Sequence, residues 1–544
     1  MTIYNANQVH PAALAYAQEV ADGTMSRREF LTRATALGVS AAGAYAMIGV
    51  TPAKADGHIA PGGTMRIQMD VRALKDPPTY DWPQVANITR GFLEYLVQYN
   101  RDGTFEGRLL TSWDVNEDAT QYVLNLRQGV TWNDGSPFTA EDVAYNFTRW
   151  CDASIEGNSM ASRVAALQND AGDAARDGAI EVVDDHTVRL NLSRPDITIL
   201  PTISDYASAI VPNGFSGNPA DNPVGTGPYR LVEHTVGVRA VLERNTDHTW
   251  WGEGTGAYLD RIEFIDLGTD QAASVAAAEA DEVDILYETQ GDFVDVMDAV
   301  GWQKSEAISA NSLVLRTNQD NPPYDDVRVR RALAMACDNS VLMELGISGR
   351  GTVAENHHVC PIHPEYADMG APVFDPEGAR SLMEEAGQMD FEHELISIDD
   401  SWRRPTTDAL AAQLRDAGFT VNRTIYPGNT FWNDWNVYPF SSTDWGHRPL
   451  GVQNLTLAYT TGAAWNETAF ANAQFDDLLA QASAIADADT RREVMAQIQQ
   501  IMIDEGVVIQ PYWRSLFRHY RDGVVGAETH PINEIHVHKL GFAA

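Results

Sequence analysis

LLTSWDVNEDATQYVLNLRQGVTWNDGSPFTAEDVAYNFTRW, residues 109–150, alternates apolar and polar side chains through Tyr122, Leu124 and Leu126, the period of a half-buried strand. Turn chemistry interrupts it at Asn116-Glu117-Asp118, at Gln128-Gly129 and at Asn133-Asp134-Gly135-Ser136. Pro137 closes the last turn, and Thr139-Ala140-Glu141-Asp142 opens a helix as a capping box, its acids set near the positive end of the helix dipole. Val143, Phe147 and Trp150 then fall on one face. The pattern predicts a β-meander feeding an amphipathic helix.

The particular residues narrow this further. Trp113, Asp118, Tyr122, Leu126-Arg127, Asp134-Gly135 and Phe138-Thr139-Ala140-Glu141-Asp142-Val143 occur in the order found in the family 5 extracellular solute-binding proteins, the dipeptide/oligopeptide-binding class that serves ABC importers. The block resembles the signature region of that family. Three further stretches resemble it as well: residues 222–229 (NPVGTGPY), residues 313–318 with 322–333 (LVLRTN, then PPYDDVRVRRAL), and residues 375–387. The resemblance implies an α/β, two-lobed, periplasmic binding protein type II-like fold with an extra subdomain in the first lobe. It places the first lobe at residues 56–100, 223–312 and 509–544, the subdomain at 101–222, and the second lobe at 313–508.

Size and charge agree with a large exported shell. At 544 residues the chain is too long for one compact core. A net charge of −38 argues against a nucleic-acid partner, which needs a basic footprint. Cys151, Cys337 and Cys360 are odd in number, so at most one disulfide can close within the chain.

Ser26-Arg27-Arg28-Glu29-Phe30-Leu31 matches a twin-arginine export signal, and Ala53-Lys54-Ala55 offers an A-x-A cleavage site. Residues 1–55 therefore read as an address to the periplasm. The weakly apolar run at 34–50 is too short for a membrane span.

Along the remaining chain, residues 63–69 read as a first strand and 88–99 as a helix. Strands are expected near 240–244 and 261–265, and helices over 270–280, 407–418 and 474–505. Closely spaced Gly and Pro at 223–228 make a tight turn where the backbone can pass close to other groups; the surroundings of a phosphate loop are missing. Asp325 and Asp326 suit a helix start, and Arg328, Arg330 and Arg331 read as structural ion-pair formers.

No Gly-x-Ser-x-Gly, His-Glu-x-x-His or Walker sequence occurs, so no catalytic residue is assigned and no cofactor is expected. His357, His358, Cys360 and His363 place metal-binding side chains within seven residues, but at a spacing that matches no defined site, and no metal is assigned. His536 and His538 would share one face of a strand.

The ligand-facing expectations lie mainly between residues 402 and 448. By the resemblance, Arg404, before Pro405, would pair with a ligand carboxylate through a bidentate fork, a surface arginine being the alternative. Phe431, Trp432, Trp435 and Trp445 would supply aromatic walls, with core packing the competing reading. Tyr80 lies in a loop placed near the cleft. Peptide-binding relatives carry an acid after the Trp that holds the ligand's ammonium; here His447 and Arg448 stand in that neighbourhood and the nearby acid, Asp444, precedes Trp445. The implied role is the monomeric solute-binding component of an ABC importer, closing over a peptide or peptide-like solute and delivering it to the transmembrane permease subunits. A non-peptide solute (oligosaccharide, opine or metal chelate) or an exported metal-binding protein or enzyme is the alternative.

Overall fold

The computed structural model describes residues 9–50 and 59–544, apart from residues 117, 401 and 486 and the side chain at 429. The 109–150 block folds as its pattern demands. Strands Leu110–Val115, Gln121–Leu126, Thr187–Asn191 and Ile180–Asp184 form a four-stranded antiparallel sheet. Along the second of these, Tyr122, Leu124 and Leu126 point into the core. Helix Ala140–Trp150 follows, and Asp142 ties its start to the preceding turn by accepting from Thr139 N at 2.9 Å and Trp132 Nε1 at 3.3 Å.

A twelve-stranded mixed sheet joins the two lobes. Its first-lobe half contains Thr64–Gln68 parallel to Arg261–Ile265, then Arg239–Arg244 and Tyr229–Thr235 in antiparallel order. Its second-lobe half contains Thr420–Tyr426, Glu392–Ile398 and Phe440–Trp445. The fifteen-residue strand Gln303–Thr317 connects them: its first part pairs with Tyr512–Tyr520 and its last part with Phe440–Trp445. The pairing with Tyr512–Tyr520 shifts register between Ile308 and Asn311. The cores divide likewise. One continuous apolar cluster takes residues from 65 to 287 and from 524 to 540, subdomain included, while two others draw on residues 313–512.

Four expectations need correcting. Residues 88–99 are not one helix: a helix covers Pro83–Thr89 and a strand Val97–Tyr99. Gly91 O and Phe92 O are taken by Tyr229 N and Gly227 N, each at 2.9 Å, so the 225–229 loop consumes the carbonyls a continuing helix would need. An added Cβ on Gly225 would lie 1.8 Å from Phe92 O, which is the close approach expected of that motif. The 474–505 region is two helices, Ala473–Ala484 and Ala488–Asp504, because Asp487 caps the second by accepting from Thr490 N at 2.8 Å. The 407–418 helix starts earlier, spanning Arg403–Asp416. His536 and His538 are not on a strand but flank and enter the 3₁₀ turn Val537–Lys539.

Three helices, Pro11–Asp22, Arg27–Ala36 and Ala41–Met47, pack into a small cluster of their own at the N-terminus. They touch both lobes. Thr35 Oγ1 accepts from Phe105 N at 2.9 Å and Tyr45 Oη donates to Asp102 at 2.5 Å on the first lobe, while Arg33 donates to Pro364 O at 3.1 Å on the second. Residues 53–55, the expected cleavage site, lie outside the described residues.

Candidate functional site

The two lobes meet along one face, and several of the candidate side chains lie there. From the second lobe, Arg403 begins its helix with Nε 2.8 Å from Asp444 Oδ1 and a further contact to Asp400. Its guanidinium lies 4.6 Å over Trp402 and 5.5 Å over Trp432. Trp432 meets Trp82 of the first lobe edge-on at 4.6 Å, and the Arg72 guanidinium lies 4.8 Å from the centre of the Trp82 ring. Burial raises the Asp70 carboxyl above its usual range, opposed by the charges of Arg72 and Arg403; the second-lobe arginine is thus felt in the first lobe.

Arg404 occupies a different place. It is exposed, with Nη1 2.9 Å from Asp399. Successive helical residues are turned about 100° apart, so Arg403 and Arg404 take different directions. The exposure of Arg404 agrees with the surface-arginine alternative.

The other expected residues are distributed as follows. Trp432 stands on the interface; Phe431 lies behind it, fully buried with Ile396 and Ile398. Trp435 packs against Trp445 at 6.4 Å, and Trp445 Nε1 donates to Glu467 at 2.8 Å. Glu467 also accepts from Arg316 Nε at 2.8 Å and Thr443 Oγ1 at 2.6 Å, a buried network that sets the 435–445 segment. Tyr80 is core, its hydroxyl 3.3 Å from Thr89 Oγ1. His447 is buried between the lobes, accepting from Ala310 N at 3.0 Å and lying 3.4 Å from Tyr99 Oη; burial drives its pKa far down, so it is a neutral ring.

Arg448 reaches across to the first lobe. Its Nε lies 3.0 Å from Asp205 Oδ2, and its guanidinium lies 5.3 Å from the centre of the Tyr206 ring. Arg163 Nη1 holds the other carboxylate oxygen at 2.8 Å. All three side chains are at most 5% exposed. Burial alone would raise Asp205, but the two guanidiniums hold it below the usual carboxylate range. Nearby, Ile197 N donates to Ser483 O at 3.1 Å and Arg163 lies 5.7 Å from the centre of the Trp465 ring, so the subdomain docks directly on the second lobe. Between them lies a cavity of about 170 Å³, lined among others by Arg163, Thr198, Arg448, Gln453 and Leu457. Arg403, Arg163 and Asp205 escaped the sequence reading because no local pattern marks a residue that acts across a domain interface.

Among the described residues, the side chains of the histidine-rich segment take protein partners. His357 Nε2 is 2.7 Å from Glu355, His358 Nδ1 2.7 Å from Tyr459 Oη, and His363 uses Cys360 N at 3.0 Å and Arg448 O at 3.1 Å. Among the described residues His530, Glu534 and His536 do bring ligand atoms within 4.8 Å of one another. His530 is already engaged with Tyr99 O and Ile532 N, and Glu534 with Arg90. Cys151, Cys337 and Cys360 are free and buried.

Residues 104–467 match the family model for bacterial extracellular solute-binding proteins, family 5. The chain belongs to that family, and it is the solute-binding component of an ABC importer. It is 23% identical over 493 residues to the dipeptide-binding protein DppE of Bacillus subtilis (strain 168), covering 85% of this chain and 88% of that one. It is 25% identical over 445 residues to the heme-binding protein A of Haemophilus influenzae, covering 75% and 79%. Among solved structures it resembles the Escherichia coli murein tripeptide binding protein MppA, with TM-score 0.81, 21% identity and 89% and 99% of the two chains covered. It also resembles the binding protein AgaA from A. tumefacien R10, solved with agropinic acid, with TM-score 0.78, 21% identity and the same coverage. This chain shares the two-lobed α/β fold with the two solved structures.

Proposed function

We propose that this chain captures a small peptide or peptide-like solute between its lobes in the periplasm and delivers it to the transmembrane subunits of the permease. The observation that carries the reading is the interface itself: Arg403, Trp432 and Asp444 of one lobe face Asp70, Arg72 and Trp82 of the other, a polar and aromatic wall of the kind that suits an amphoteric solute. Closure exploits the long strand Gln303–Thr317 as its hinge. The ligand-facing role falls to Arg403, Trp432, Asp444 and Arg448. Phe431, Trp435, Trp445 and His447 support them from behind. The likeness to dipeptide- and tripeptide-binding proteins supports a peptide. Export by the twin-arginine route, with residues 1–55 removed, is supported by Arg27-Arg28 in its motif. The described helices include none long and apolar enough to cross a membrane.

A second reading, a non-peptide solute, is favoured by Arg448 standing where a peptide's ammonium would ask for an acid. A thermal-shift screen of di- and tripeptides, oligosaccharides, opines and metal chelates decides between the two. Reversible stabilisation by peptides without turnover supports the first reading; stabilisation by another class alone selects the second. Conversion of a probe into product overturns both.

A further inference from the structure

The N-terminal helices straddle the seam between the lobes, yet their apolar side chains form a cluster of their own, with only Ala36 packed at the edge of the first-lobe core. Their other contacts run to both sides. On the first lobe the fit is close: a Cβ on Gly38 would lie 2.7 Å from Trp113 O, and one on Gly103 would lie 2.5 Å from Thr32 Oγ1. On the second lobe Pro364 O accepts from Arg33 at 3.1 Å and from Arg492 at 2.9 Å. Arg33 also lies 3.9 Å from Asp489, and Arg492 3.9 Å from Glu29. Arg28 reaches the seam itself, where Tyr99 of the first lobe stands 3.4 Å from His447 of the second. Burial raises the Tyr99 hydroxyl and lowers the His447 ring, and in each the Arg28 charge weighs next. Arg28 Nη2 is buried and makes no hydrogen bond among the described residues. A segment that touches both lobes favours the one arrangement in which all its contacts are made, by the free energy of those it would lose in any other. Its charge suits the task, since Arg27, Arg28 and Arg33 share one helix, Arg27–Ala36, of a chain that carries −38 overall.

We propose that residues 9–50 are a strap: docked across the seam through Arg28, Arg33, Thr35 and Tyr45, they hold the lobes in the arrangement seen here, and solute capture begins only when they are released. This rests on the hinged, solute-binding reading and adds control over the hinge. Loss of residues 1–55 is then an activation step as well as the removal of an address. The lobes keep their own cores when it happens.

Nitroxide labels on Asp247→Cys and Glu385→Cys, exposed positions of the first and second lobes, report lobe separation in the full chain by pulsed dipolar spectroscopy; the three native cysteines are buried. The full chain is expected to give one narrow distance distribution. Gly38→Val drives a side chain into the Trp113 carbonyl, and Arg28→Met with Arg33→Met removes the cationic contacts. Both release the strap without shortening the chain, and each should broaden the distribution about two-fold. The chain without residues 1–55 should match them. Titration with trialanine then reads capture: a strap that leaves about one molecule in ten free weakens apparent affinity about ten-fold, and the released forms regain it. Equal distributions in the full chain and every released form overturn the proposal. So does equal trialanine affinity in forms whose distances differ. If trialanine binds none of them, the peptide reading falls, and the distances alone decide the strap.

Discussion

Arg448 of the second lobe and Asp205 of the first meet with Nε 3.0 Å from Oδ2, both side chains at most 5% exposed. The acid also holds Arg163, so the closed face of the protein is fastened by one anion between two cations. Removing the anion and removing one cation are therefore very different perturbations.

Asp205→Ala is expected to destabilise the protein by about 3–5 kcal/mol, because it leaves two buried guanidiniums facing each other without a counter-charge. Arg448→Met leaves the Arg163–Asp205 pair intact and is expected to cost clearly less. Urea unfolding of the two variants beside the wild type measures the difference. Equal losses would mean the three groups do not act as a unit.

Arg403→Ala should abolish most of the thermal stabilisation by a bound solute, since it removes the cation between Asp400, Asp444 and Trp432. Arg404→Ala should leave that stabilisation unchanged, because the Arg404–Asp399 pair is exposed and such pairs contribute about 0–1 kcal/mol. Thermal shift with any hit from the solute screen separates the two. The opposite ranking would return the role to Arg404.

Acid should unfold the second lobe. Burial lowers His358 to about 3, His363 to about 4 and His393 to about 4. Their folded pKa values lie below the unfolded value near 6.5, so the stability they contribute is present above pH 6.5 and is lost as pH falls toward 4. Each is expected to contribute a loss of up to about 1.4 kcal/mol per pH unit in that window. Denaturation midpoints between pH 7.5 and 5 follow it; His393→Phe, whose ring sits among Tyr324, Phe391 and Phe440, should flatten the slope.

The N-terminal helices bridge the lobes through Thr35, Tyr45 and Arg33. Removal of residues 1–55 is expected to widen the distribution of lobe separations in the absence of solute, as seen by small-angle scattering. Identical scattering from the full and shortened chains would show that these helices do not restrain the hinge.

Gly225→Ala should prevent correct docking of the 225–229 loop, since its Cβ would fall 1.8 Å from Phe92 O, a backbone atom that cannot swing away. A loss of about 3 kcal/mol or more is expected by thermal unfolding.

Much of the molecule was legible before any coordinates. The 109–150 meander, the helix cap at Thr139 and Asp142, and the strand over 261–265 are local in origin: period, turn residues and caps act over a few positions. The errors share a cause too. The helix expected over 88–99 ends early because carbonyls at 91 and 92 are claimed by residues 227 and 229, more than a hundred positions away. The different settings of Arg403 and Arg404 were not legible either, because a run of two arginines has no facing direction until the helix that carries them is docked.

Taken alone, the chain's residues determined the family, the two-lobed α/β architecture and the absence of recognised catalytic motifs. Each of these depends on short-range pattern or on total length and charge. Only the tertiary structure decided that Arg403 pairs with Asp444 while Arg404 is exposed, that His447 is a buried neutral ring, and that Arg448 is answered by Asp205 and shares it with Arg163. Those are facts about pairs distant in sequence, and their energies come from burial and proximity that exist only once the lobes have met.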